Sequence, residues 1–122
     1  MAVPAFQDFP LAPRDRHWDS AVANRRVRAF THAQQGPNAA YRDTHLWYDA
    51  SRRQDFTAYK LLIADVVDGS LEAVPHAIFA AAAVIDGSRG GIRLPAADVP
   101  AVKDQLARYY EKLGEEPPWG SG

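Results

Sequence analysis

Eleven of the fourteen basic residues in this 122-residue chain are arginine, the side chain whose planar fork pairs bidentately with phosphate or carboxylate. Arg25, Arg26, Arg28, Arg42, Arg52 and Arg53 are interleaved with Trp18, Phe30, Tyr41, Trp47 and Tyr48. That is the composition of a nucleic-acid surface, where cations take phosphates and ring faces take bases. Asp15, Asp19, Asp43, Asp49 and Asp55 are interspersed among them and dilute the field, so a solvated face of mixed charge competes with that reading. A second anion candidate is the loop Gly87-Ser88-Arg89-Gly90-Gly91, whose N–H groups, with Arg89 and Arg93, would receive a phosphate or carboxylate. It lacks the Gly-Lys-Ser/Thr ending of a P-loop and follows a helical pattern instead of a strand. The competing account is a loop that needs positive φ to turn one helix into the next. The candidate nucleic-acid or anion-binding set is thus Arg25, Arg26, Arg28, Arg52, Arg53, Arg89 and Arg93.

Other chemistries find less support. His17, His32, His45 and His76 are scattered, and no pair has the i,i+4 helical spacing of an HExxH-type metal site. The chain has no cysteine, which removes thiolate zinc sites, iron–sulfur clusters, disulfides and thiol catalysis. None of the serines lies in a Gly-x-Ser-x-Gly elbow. Asp65, Asp68 and Glu72 surround an Asp-Gly turn, yet Val66 and Val67 stand where an EF-hand loop needs further ligands, and turn chemistry accounts for the acids. No metal, no cofactor and no catalytic set is expected, and an enzyme ranks behind two binding readings.

The elements that would position these residues are three helices and a few short strands. An Asp at position 15 or 19 caps a helix running to about Ala33, with Trp18, Val22, Ala29, Phe30 and Ala33 on one face. Gly36-Pro37 stops it, the glycine supplying a left-handed cap. His45-Leu46-Trp47-Tyr48 has the length of a short strand. Residues 58–64 are a second strand, and Asp68-Gly69 favours a tight type I′ hairpin turn into residues 71–74. Pro75 opens a helix to residue 86 that is apolar on every side and therefore central, with bulky replacements at Ala80, Ala81, Ala82 or Ala83 expected to overpack it. Residues 98–113 form an amphipathic helix capped by Asp98, with Asp104 and Arg108 paired at i,i+4 and Gly114 at its end.

The fold class expected is α+β: three helices packed on a small two- or three-stranded antiparallel sheet. Its core comprises Trp18, Val22, Phe30, Trp47, Tyr59, Leu61, Ile63, Leu71, Ile78, Phe79, Val84, Ile85, Val102, Leu106 and Tyr109. One domain spans residues 15–114. Residues 1–14 form an extended arm, because Pro4, Pro10 and Pro13 fix φ and remove donors. Residues 115–122 form an acidic, proline-containing tail ending in a linker-like Gly-Ser-Gly. Hydrophobic residues make up 47% and charged residues 24% of the chain, the composition of an ordinary globular protein. The longest apolar run is under half a membrane span, so a soluble protein without a membrane partner is expected. Residues 1–60 carry nine Arg/Lys against six Asp, whereas residues 61–122 carry five against nine acids, which makes the first half mildly basic.

The stretch from Tyr59 through Asp68-Gly69, continuing with Val74-Pro75, the Phe79 to Ala83 run, Arg89-Gly90-Gly91 and Tyr109-Tyr110, resembles a small domain of unknown function encoded by tailed phages and prophages. That domain is sometimes found within or beside prohead (head-maturation) protease gene products. Trp18-Asp19 and Trp47-Tyr48-Asp49 are similar to it too, so the resemblance covers residues 15–119. Departures fall at Leu62, His76 and Ser88, where the family pattern has proline, arginine and alanine. The resemblance carries no catalytic or binding residues over; it implies a setting in the host cytoplasm or a virion. The leading expectation is a non-enzymatic interaction module in phage head assembly or an associated phage complex, with phage head or other phage proteins as partners. The alternative is DNA or RNA binding through the arginine and aromatic surface.

Overall fold

A computed structural model describes residues 2–87 and 94–120. The architecture is α+β. Helix α1 (Ser20–Phe30) leads through a short helix α2 (Ala39–Arg42) to strand β1 (His45–Tyr48). Two 3-10 turns precede β2 (Tyr59–Leu62), β3 (Ala64–Val67) and β4 (Ser70–Ala73); α3 (Pro75–Ile85) and α4 (Val99–Leu113) complete the order. The expected small antiparallel sheet takes the form of two separate pairs, β1 with β2 and β3 with β4.

The two pairs arise because the apolar run 58–67 is divided in the middle. Lys60 lies opposite Trp47 in the first pair and Val66 opposite Leu71 in the second, so the partner of β4 is residues 64–67 and not the run ending at 64. The Asp68-Gly69 turn has φ of 50° and 81° at its two central residues, the paired positive values of a type I′ turn. Leu61 holds φ 63° inside β2, a left-handed conformation that an L side chain adopts only when its surroundings force it.

Asp19 caps α1 by accepting from the N–H groups of Ala21 and Val22. The helix ends at Phe30, earlier than expected. His32 at φ 58° is its left-handed residue, and Ala33 N–H reaches back to the Arg28 carbonyl at 2.8 Å, a Schellman ending made on histidine rather than on Gly36. The buried positions of α1 are Ala23 and Val27, small enough to let β3 approach closely. Phe30, expected in the core, is its last residue and stays 42% exposed.

Helix α3 buries Ala77, Ile78, Ala81 and Ala82 but is not enclosed on all sides: Ala80 is exposed, and Phe79, Val84 and Ile85 are half-buried. Overpacking therefore applies at Ala81 and Ala82 and not at Ala80. Helix α4 turns Val102, Leu106, Tyr109 and Tyr110 inward, and Gly114 ends it at φ 72°. Asp98 makes no side-chain cap to α4; its carboxylate instead accepts from the Trp47 indole N–H at 2.8 Å, tying α4 to β1. The main core joins Leu46, Ile63, Ile78, Val102, Leu106 and Tyr109, while a second cluster under α1 holds Val27, Tyr41, Ala58 and Tyr59. No described helix is long and apolar enough to cross a membrane.

Candidate functional site

The first-half arginines occupy several different environments. Arg26 is committed to Asp65, with Nε at 3.0 Å from one carboxylate oxygen and Nη2 at 2.8 Å from the other. Arg16, outside the sequence-derived set, approaches the same carboxylate at 3.2 Å. Asp65 is 1% exposed, faces Glu72 across the β3–β4 pair, and also accepts from Val66 N–H. Burial alone would raise its carboxyl, but the bonds from Arg26, Val66 and Arg16 outweigh that and hold it below the ordinary carboxylate range. The signal available in sequence was a lone acid in the apolar run 61–67.

Arg52 lies between Asp49 at 3.2 Å and Asp55 at 3.5 Å. Both carboxyls are held low, first of all by hydroxyl bonds from Ser51 and Thr57 respectively, with Arg52 adding to each. Each aspartate also caps a 3-10 turn, so Arg52 serves a local charge network.

Arg28 and Arg42 behave differently. The Arg28 guanidinium lies 3.6 Å from the Phe56 ring centroid and that of Arg42 lies 5.0 Å from Tyr48, the arrangement of a cation over a π face. Tyr48 stacks on Tyr59 at 12° and 5.5 Å, and Tyr41 meets Phe56 and Tyr59 edge-on. Neither cation makes an ion pair among the described residues. Arg25 and Arg53 are exposed and likewise make no described ion pair. Arg89 and Arg93, with the glycine loop that carries them, lie outside the described residues.

Between the Tyr41 and Tyr59 rings, at 4.7 Å and 5.6 Å, His45 is 3% exposed. Its Nδ1 lies 3.1 Å from the Tyr41 carbonyl and 3.1 Å from Thr44 Oγ1. A carbonyl only accepts, so Nδ1 carries the proton and Nε2 the lone pair. Burial pushes the imidazole down to about 4, against the raising effect of the Tyr41 bond, with Arg28 adding to the depression. His45 is therefore neutral near pH 7. The four-residue island 45–48 marked its strand in the sequence, but nothing there marked its burial.

Residues 2–14 form an extended strap that starts at β1, where Tyr48 N–H donates to the Ala2 carbonyl at 2.9 Å, and runs across α4. Gln105 donates to the Pro4 carbonyl and Tyr109 to that of Gln7, and Lys112 reaches the Phe9 carbonyl at 2.6 Å and Asp8 at 2.7 Å. Residues 105, 109 and 112 share one helical face, so α4 carries a row of donors matched to carbonyls spaced along the strap at Pro4, Gln7 and Phe9. The strap then joins β4: Ala73 N–H donates to Pro10 and Ala12 N–H to the Ala73 carbonyl, each at 2.8 Å. Phe6 packs 5.0 Å from the Tyr109 ring, and Val3 and Ala12 are buried. Burial pushes the Tyr109 hydroxyl up to about 12, which keeps it a donor.

No family model matches the chain, and no curated protein and no solved structure matches it. Among the described residues no group of three or more His, Asp or Glu side chains is placed to hold a metal ion.

Proposed function

We propose that this chain is a non-enzymatic interaction module acting in phage head assembly or an associated phage complex. The setting comes from the resemblance of residues 15–119 to the phage-encoded domain. The observation that carries the interaction reading is the strap: Gln105, Tyr109 and Lys112 hold an extended, proline-containing segment by its carbonyls, while its aromatic side chains pack on the core. This is how extended polypeptide is recognised in general, backbone bonds supplying affinity and side-chain pockets selectivity. The test is co-expression of the tagged chain with the capsid and prohead-protease products of a tailed phage carrying such a domain. Stoichiometric recovery with one of them is expected, and absence from every particle and complex would overturn the proposal.

A second reading, nucleic-acid binding, is favoured by Arg28 and Arg42, whose cations lie over rings without carboxylate partners. Against it, Arg26 and Arg52 are already engaged by acids. Salt-sensitive amide shifts at Arg25, Arg28, Arg42 and Arg53 on adding a DNA duplex or single strand would raise it above the first.

A further inference from the structure

Strand β2 forms the floor of a groove between the start of α1 and the open flank of α3. One end, about 320 Å³, is lined by Ala21 and by the polar residues Ser20, Asn24, His45, Tyr59 and Lys60. The other, about 240 Å³, is an apolar slot lined by Trp18, Ala77, Ala80, Ala81 and Val84. Ser20, Leu61 and Leu62 line both, so the residue held in left-handed backbone is among those over which the two ends join. Strain of that kind gathers at ligand-binding positions.

The end at Lys60 has a defined complement. His45 has its Nδ1 proton committed to Tyr41, so the polar atom it can offer the groove is the acceptor Nε2. Asn24 spends an amide proton on the Tyr41 hydroxyl at 2.9 Å, and the Tyr59 hydroxyl is spent on the Arg53 carbonyl at 2.8 Å. Lys60 makes no ion pair among the described residues, and no carboxylate lines either end. The groove therefore presents an acceptor and a cation beside an apolar slot. Its occupant must supply an N–H or O–H donor, an anion and an apolar side chain close together. The last residue of a polypeptide supplies all three, with its amide N–H, its terminal carboxylate and its side chain.

We propose that this groove docks the C-terminal residue of a partner polypeptide: carboxylate at Lys60, amide N–H on His45 Nε2, and an apolar side chain between Trp18 and Ala77–Ala81. The assignment rests on the interaction-module reading and names a contact of the partner.

The test is titration of the isotopically labelled full chain with acetyl-Ala-Ala-Val-Leu bearing a free carboxylate, with the same peptide as its amide, and with N-acetyl-leucine. Saturable shifts are expected at the Trp18 indole and at the amides of Lys60, Ala77 and Ala81, with the acid at least tenfold tighter than the amide and than N-acetyl-leucine. Lys60→Met should abolish the preference for acid over amide. Ala80→Glu, placed on the exposed flank of the slot, should weaken the acid peptide tenfold or more without altering the melting temperature. Equal binding of acid and amide, or no shift at these residues with millimolar peptide, would overturn the proposal. N-acetyl-leucine binding as tightly as the tetrapeptide would also overturn it, because the site would then serve a free acylated amino acid. If these peptides fail while a phage head protein still co-purifies, the groove assignment falls and the interaction reading stands.

Discussion

Lowering the pH from about 7.5 to about 4 forces a choice on His45, which is 3% exposed, whereas His17, His32 and His76 lie at the surface. In the unfolded chain its imidazole takes a proton near 6.5, but in the folded chain only near 4. Between those values the unfolded state binds more protons, so stability rises with pH across the window and is lost as pH falls through it. A displacement from 6.5 to about 4 corresponds to a loss of about 2 kcal/mol at about pH 5 and about 3 kcal/mol by about pH 4. Against a typical total of about 5–15 kcal/mol that is a large share. Asp65 acts in the same direction but in a lower window: its carboxyl is held below 3.8, so its contribution persists above that value and is lost only as pH falls through the depressed one. Urea denaturation at intervals of half a pH unit should therefore show a first decline between 6.5 and 4 and a second below it. His45→Gln, whose amide can still donate to the Tyr41 carbonyl, should remove the first decline and keep the second. An NMR titration placing the folded His45 midpoint near 6.5, or a decline unchanged in His45→Gln, would refute the reasoning.

Arg26→Ala should cost about 2 kcal/mol, the value of charge-assisted hydrogen bonds to a carboxylate left buried, and the double change Arg16→Ala with Arg26→Ala should cost more than Asp65→Asn. The asymmetry follows because the arginine side chains are 29% and 48% exposed and can rehydrate, whereas that of Asp65 is 2% exposed; thermal melts of the three variants check it. His32→Gly should stabilise the chain by about 1 kcal/mol, since glycine adopts the left-handed ending of α1 without the penalty that an L side chain carries; chemical denaturation reads it. Leu106→Asp should abolish the cooperative melt, because Leu106 is fully buried against Ile78 and Val102 and an unpaired charge there has no partner. A wild-type melting temperature in that variant would show that α4 does not cross the core as described.

What was legible in the sequence was whatever a single local rule decides. The island 45–48, the Asp68-Gly69 turn, Pro75 at the start of α3 and Gly114 at the end of α4 each depend on neighbours in the chain, and each stands where those rules put it. Misplaced features depend on something distant. The run 58–67 contains no glycine or proline to show that it breaks, and the break falls at Leu61 to Ile63 because Ile63 N–H bonds to the Thr44 carbonyl while its own carbonyl takes Val74 N–H at 2.9 Å. Phe30 satisfies the helical period, but α1 brings Ala23 and Val27 to β3 and leaves its final residue to solvent. Asp98 has the right type and position for a cap, and Trp47, fifty-one residues earlier, takes its carboxylate instead.

The candidate site divides along the same line. Arginine content and aromatic interleaving are properties of composition; Arg28 and Arg42 do lie over rings, but so do Lys103, Arg108 and Lys112 of α4. Composition does not say which cation is spent. Arg26 and Arg28 are two residues apart on one helix, yet one closes on a buried carboxylate contributed by β3 and the other lies over a ring that follows β1. The difference is set by helical rotation: a step of two turns the side chain by about 200°, so adjacent arginines in an Arg-Arg-Val-Arg run address opposite sides of α1. The strap makes the complementary point. Its prolines mark residues 1–14 as non-helical, and the described backbone from residue 2 on is non-helical, but whether such a segment is held depends on donors about a hundred residues away on α4. Those donors repeat at the spacing of one helix face, as Gln105, Tyr109 and Lys112, and a periodic row of polar side chains adjoining an apolar stripe is the pattern by which a helix grips an extended chain along its carbonyls.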